Sequence, residues 1–225
     1  MWVSHRGGPD DARPTPEQLL QWLRRMSPPD NEFPAGVGIA VLLGRTADAA
    51  VGISHVEAFS TGFRFTLSVR LREQRPELAR GGLFMHISAH THPDFDIPLE
   101  QRLLLGLEYP NGQRASTLQD IRMLGPGRAP DDDQVVLAQQ GGGGGHQSID
   151  QDYWVSPLPP DGPVTVVLTW PSFGFPESRT VLDGAAIRAA ADRSQELWPP
   201  QPPSEPSPPA PPPRPTTGWF ADPPD

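Results

Sequence analysis

The sequence predicts an all-β fold, an antiparallel β-sandwich of about eight to ten strands with short flanking helices at the N- and C-terminal ends. Three observations carry that expectation. Apolar and polar residues alternate with a period of two through most of residues 36–182. Turn-forming Gly, Pro and Asn residues punctuate those runs at short intervals. No strand–helix–strand alternation is present, so a parallel nucleotide-binding sheet is not expected.

Residues 1–14 include Gly7, Gly8, Pro9 and Pro14 and read as a disordered lead with no apolar stretch. Residues 15–27 read as a helix. Thr15 can cap it, Pro16 suits its first turn, Gln18 completes a capping box, and Ser27-Pro28-Pro29 ends it. Leu19, Leu20, Trp22, Leu23 and Met26 form its apolar face, for packing on the domain or on a partner. Strands begin at Val37, Ile39, Val41 and Leu43. Val51 and Ile53 share one parity and Val56 and Ala58 the other, which predicts a bulge near Ser54-His55. In the next run Phe63, Phe65, Leu67, Val69 and Leu71 face the core, while Arg64, Thr66, Ser68, Arg70 and Arg72 face water. Leu103, Leu105, Leu107 and Tyr109 repeat the pattern before an Asn111-Gly112 hairpin turn and a return strand over 114–118. Residues 135–138, 152–155, 164–170 and 179–182 supply the remaining strands. A second helix starts at Asp183, with an inner stripe of Ile187, Ala190, Ala191, Ser194 and Leu197 or Trp198, and stops at Pro199. Residues 36–198 thus form one β domain with a C-terminal helix.

Proline and glycine together make up 53 of 225 residues, and 13 of the 31 prolines fall in residues 199–225. Pro200, Pro203, Pro206, Pro209, Pro212 and Pro215 recur every third residue, the repeat of a polyproline II helix, so they line one edge. The tail is expected to be extended, with Trp219-Phe220 near its end as an aromatic anchor for a protein partner.

Composition removes several chemistries. No cysteine occurs, which excludes disulfides, thiolate zinc sites and cysteine nucleophiles, and is compatible with a reducing, cytoplasmic setting. All 18 basic residues are arginine, so Walker A, Schiff-base and Ser–Lys chemistry lack their lysine. A net charge of −9 opposes binding to nucleic acid or to an anionic membrane. The longest apolar run, Ala35–Gly44, is half of the roughly 20 residues a bilayer span needs.

Residues 36–198 carry Gly141–Gly145, Tyr153-Trp154, Pro157-Leu158-Pro159-Pro160, Gly162-Pro163, Trp170-Pro171, Pro176-Glu177-x-Arg179 and an Ala-rich helix ending Leu197-Trp198. In this order they resemble a bacterial protein family of GC-rich genomes. The resemblance implies no activity, cofactor or catalytic residue.

Three functional readings follow. The first is a non-catalytic protein-interaction or scaffold protein, presenting Trp219 and Phe220 on the proline-rich tail. The second is a metal-dependent hydrolase using His86, His90 and His92. On one strand these would share a face, with His90 and His92 about 7 Å apart and His86 about 13 Å further along, and zinc is the metal such ligands suit. His90-Thr91-His92-Pro93 resembles part of the JAMM-type zinc isopeptidase motif, but the Ser-x-x-Asp that continues it is missing from 102–106. The third is a small-ligand or carbohydrate binder using Tyr153, Trp154 and Phe173 as exposed aromatics. Gly141–Gly145 lacks the lysine and following helix of a phosphate loop and reads as a flexible connection between strands. Arg64, Arg70 and Arg72 read as a solvated stripe paired with Glu57, Glu108 or similar groups, and Asp131-Asp132-Asp133 as a solvated loop.

Overall fold

The computed structural model describes residues 15–75, 78, 82–87, 97–118, 131 and 133–200. The chain forms α1 (Pro16–Met26), β1 (Glu32–Phe33), β2 (Ala35–Val37), β3 (Val41–Arg45), β4 (Ala49–Phe59), β5 (Gly62–Leu71) and α2 (Gly82–Ile87). It continues through β6 (Leu104–Glu108), β7 (Arg114–Ser116), β8 (Val136–Gly144), β9 (Ser148–Ser156), β10 (Val164–Trp170), β11 (Phe175–Leu182), α3 (Gly184–Ala191) and β12 (Gln195–Glu196). Short 3-10 turns occupy Leu99–Gln101 and Pro171–Phe173.

Two antiparallel sheets make the sandwich. The larger has the order β2-β4-β5-β9-β8, with β3 also pairing β4, and the smaller has the order β11-β10-β6-β7. A two-stranded ribbon, β1 with β12, lies apart from both sheets. The alternation read from sequence decides which side chains meet. Phe63, Phe65, Leu67, Val69 and Leu71 are buried in one continuous core with Leu105, Leu107, Val164, Val166, Leu168 and Trp170 of the facing sheet. The β4–β5 register shifts between Ile53 and His55, so the bulge lies where the change of parity put it. It returns Val56 and Ala58 to the core. Gly62 admits the chain at a tight β4–β5 turn, because a Cβ there would sit 2.3 Å from the Val155 carbonyl oxygen.

α1 is built as its sequence dictates. Thr15 Oγ1 accepts from the Gln18 amide, and the Gln18 side chain accepts from the Thr15 amide. The helix packs on the outer face of the larger sheet, where Met26 and Trp22 join Phe59, Val136, Ala138 and Trp154 in a second apolar cluster. Two donors fix its end: Trp154 Nε1 at 3.1 Å and Ser156 Oγ at 2.8 Å, both to the Arg25 carbonyl. α3 starts at Asp183, whose carboxylate accepts from the Ala185 and Ala186 amides, and it buries Ile187 and Ala190 in the main core.

Three sequence expectations need correction. α3 ends at Ala191, and the chain then turns into β12, leaving Leu197 and Trp198 about half exposed and outside any helix. The alternation over residues 37–43 is broken between β2 and β3, which pair with successive stretches of the same β4 edge. Gly141–Gly145 is no free connection. Gly142, Gly143 and Gly144 pair with Gln151, Asp150 and Ile149, so β8 runs on through the glycines after a register shift. The buried Gln151 amide supports that shift by donating to the Gln140 and Gly141 carbonyls at 3.0 and 2.8 Å. Among the described residues no helix is long and apolar enough to cross a membrane.

Candidate functional site

A groove of about 550 Å³ lies between α1 and the β1–β12 ribbon. Leu20, Leu23 and Arg24 of α1 form one wall, Ser27 to Glu32 the base, and Ser60, Thr61, Glu196 and Pro200 the remainder. Its geometry follows from α1 packing through only part of its apolar face. Met26 and Trp22 turn onto the sheet, while Leu23 stays 37% exposed. The ribbon is tied down by main-chain pairing of Glu32 with Glu196 and by Asn31, whose side chain donates to the Trp198 carbonyl at 2.8 Å. That pinning leaves Phe33 at 64%, Leu197 at 48% and Trp198 at 51% exposure. Asp30, Glu32 and Glu196 give the lining three carboxylates against the single guanidinium of Arg24. Glu32 is held in place by the Ser60 amide and hydroxyl, which both donate to its carboxylate. Pro200, where the proline-rich segment begins, lies on the wall.

The residues singled out by sequence are distributed differently. Trp219, Phe220, His90 and His92 lie outside the described residues. His86 is buried on α2, not on a strand, which removes the shared-face geometry assumed for the three histidines. A helix is set there by the packing of Leu83 and Ile87, on the same face as His86, into the main core. The His86 Nδ1 lies 3.0 Å from the Gln101 carbonyl oxygen, and that oxygen also accepts from Trp170 Nε1 at 3.0 Å. Tyr153 and Trp154 are fully buried and Phe173 is 8% exposed, so the aromatics invoked for carbohydrate binding have no free face to stack on a sugar.

The arginine stripe is paired, with partners partly other than expected. Arg64 bonds Glu57 across β4–β5 and lies over the Phe59 ring. Arg70 takes both oxygens of Asp150 at 2.8 and 3.0 Å. Glu108 goes instead to Arg114 and Arg179. Burial pushes the Glu57 carboxyl up, but the hydrogen bonds and charges of Arg64 and His55 outweigh it and hold the group below its ordinary value. Asp150 follows the same balance, with Ser68 and Arg70 opposing burial. Carboxylates held ionised in this way suit cross-strand ties, not proton transfer at neutral pH. Sequence reading missed the groove because half its wall comes from α1 and half from a ribbon joining residues 32–33 to 195–196. The available signal was Leu20 and Leu23 on an apolar face read as packing on the domain or on a partner.

Comparison with known proteins returns no matching family model, no matching curated protein and no matching solved structure.

Proposed function

We propose that this chain is a non-catalytic protein-interaction module that holds a partner at the α1–ribbon groove and along the proline-rich tail leaving its rim. One observation carries the reading: Leu23 stands partly exposed in the groove wall, and Phe33, Leu197 and Trp198, sequence neighbours of the lining residues Glu32 and Glu196, are exposed near the root of the tail. Exposed apolar side chains gathered at one place mark an interaction surface more than scattered ones do. The excess of carboxylates in the lining selects a partner segment that is basic as well as apolar. The tail's sequence adds to the reading: prolines at every third position from Pro200 to Pro215 are the repeat that aromatic grooves read, and proline reduces the entropy lost on docking.

The test uses full-length protein, protein truncated after Trp198, a Trp219→Ala/Phe220→Ala double variant, and a Leu20→Ser/Leu23→Ser groove variant. Each is measured against one partner, first identified by crosslinking to full-length protein and then purified. Both the tail and groove variants should weaken that complex by about tenfold or more, the size expected for losing an aromatic anchor. Equal affinity for all four proteins would refute the proposal.

A further inference from the structure

A second, smaller cavity of about 200 Å³ lies where α2 meets the two 3-10 turns, lined by Arg75, Leu78, His86, Gln101, Ser172 and Phe173. Its polar groups are set by the fold. A carbonyl oxygen only accepts, so the contact with Gln101 places the proton of neutral His86 on Nδ1 and leaves Nε2 as a bare lone pair. Among the described residues Nε2 has no hydrogen-bond partner, although His86 is 4% exposed. The Gln101 carbonyl is itself held by Trp170, which packs on Phe173 with ring centroids 4.0 Å apart. The Arg75 guanidinium stands 5.3 Å over the Phe173 ring and engages Asp48 through Nη2, keeping further N–H donors for a second acceptor. Ser172, an exposed residue of the Pro171–Phe173 turn, lines the same cavity and brings a hydroxyl to it.

One cavity therefore offers a guanidinium and a hydroxyl, which seek an anionic oxygen, beside an imidazole nitrogen, which seeks a donor. A ligand satisfying all three carries a carboxylate and a hydroxyl a few bonds apart. At roughly 30 Å³ per water, the space equals six or seven waters, enough for a chain of two to four carbons. We propose that this cavity binds a small hydroxycarboxylate, its carboxylate on Arg75 and Ser172 and its hydroxyl donating to His86 Nε2. Arg suits the carboxylate because its planar fork matches the two oxygens. The inference is independent of the groove and the tail.

The test is an NMR titration of the full chain, read on the ring signals of His86, with glycolate, lactate, acetate and inorganic phosphate as probes. The free protein should show His86 as the Nδ1–H tautomer. Glycolate and lactate should shift the ring signals saturably and bind about fivefold more tightly than acetate, the worth of one hydrogen bond. Arg75→Gln, at a side chain 36% exposed and outside the core, should weaken glycolate by about tenfold or more. His86→Phe should abolish the preference for glycolate over acetate while keeping acetate binding. If that variant does not fold, the Arg75→Gln result and the acetate comparison decide alone. The proposal is overturned if no probe moves the His86 signals at tens of millimolar, if acetate matches glycolate, if phosphate binds as well as glycolate, or if Arg75→Gln binds unchanged.

Discussion

Replacing Trp154 tests how α1 is held. Its indole is fully buried, meets the Phe59 ring edge-on with centroids 5.5 Å apart, and donates Nε1 to the Arg25 carbonyl at 3.1 Å. Burying such a ring removes roughly 200 Å² from water, worth about 5 kcal/mol at about 25 cal/mol per Å². The hydrogen bond adds about 1 kcal/mol. Part of this is recovered by the alanine methyl and by local collapse, so Trp154→Ala should cost about 4 kcal/mol, within the range for large aromatic truncations. Trp154→Phe keeps the ring contact and leaves Ser156 Oγ on the Arg25 carbonyl, so it should cost only about 1–2 kcal/mol. Chemical denaturation gives these differences, and hydrogen exchange locates them. α1 amides should lose protection far more than those of β6 and β10, which belong to the other cluster. A loss below about 1 kcal/mol for Trp154→Ala, or unchanged exchange in α1, would refute the claim that this cluster docks the helix.

Other consequences are equally direct. Gly144→Ala should destabilise by about 1–3 kcal/mol, because its Cβ would fall 2.1 Å from the Ser148 carbonyl oxygen, whereas Gly143→Ala, with nothing within 4 Å, should be neutral or slightly stabilising in thermal melts. Equal effects at the two positions would mean that β8 does not run through the glycines. Thr15→Ala should cost about 1 kcal/mol through loss of the capping box, read by denaturation. Glu57 and Asp150 sit below their ordinary values of 4.5 and 3.8 in the folded state, so their contribution is present above those values and is lost as pH falls through the lower folded ones. Stability should therefore decline on acidification below about pH 4, and Arg64→Gln should flatten the Glu57 part of that decline.

The sandwich was legible because burial in an antiparallel sheet repeats every two residues. β5 shows this most fully: five alternating apolar residues face the core, and the change of parity in β4 marked its bulge near Ser54-His55. Expectation failed where one residue pattern suits two backbones. Ile187, Ala190 and Ala191 are followed by Ser194 and Leu197 at continued helical spacing, yet Leu197 is spent on ribbon pairing, with its amide donating to the Asn31 carbonyl at 2.8 Å. That partner lies more than 160 residues away, so no local signal announces it. The glycine run failed for the opposite reason. Without side chains it carries no period at all, and its pairing is dictated by Ser148–Gln151 on the neighbouring strand.

The groove was less legible than the core because its lining is what remains unburied after packing. Leu20 and Leu23 are as apolar as Met26 and Trp22, which do reach the sheet, and belong to the same apolar face. Only the position of α1 against Trp154 and Ser156 decides that Met26 is covered and Leu23 is not. His86 makes the same point in polar terms. Read beside His90 and His92 it looked like one of three metal ligands, a matter of spacing. In the fold one of its nitrogens is committed to a main-chain carbonyl supplied by a turn 15 residues on. That commitment fixes the tautomer, and the tautomer determines whether the ring offers a ligand a proton or a lone pair. The chemistry of this histidine thus resides in Gln101 and Trp170 as much as in the imidazole. A Trp170→Phe variant, which keeps the ring stack but releases the Gln101 carbonyl, should loosen the tautomer preference of His86 without unfolding the sandwich.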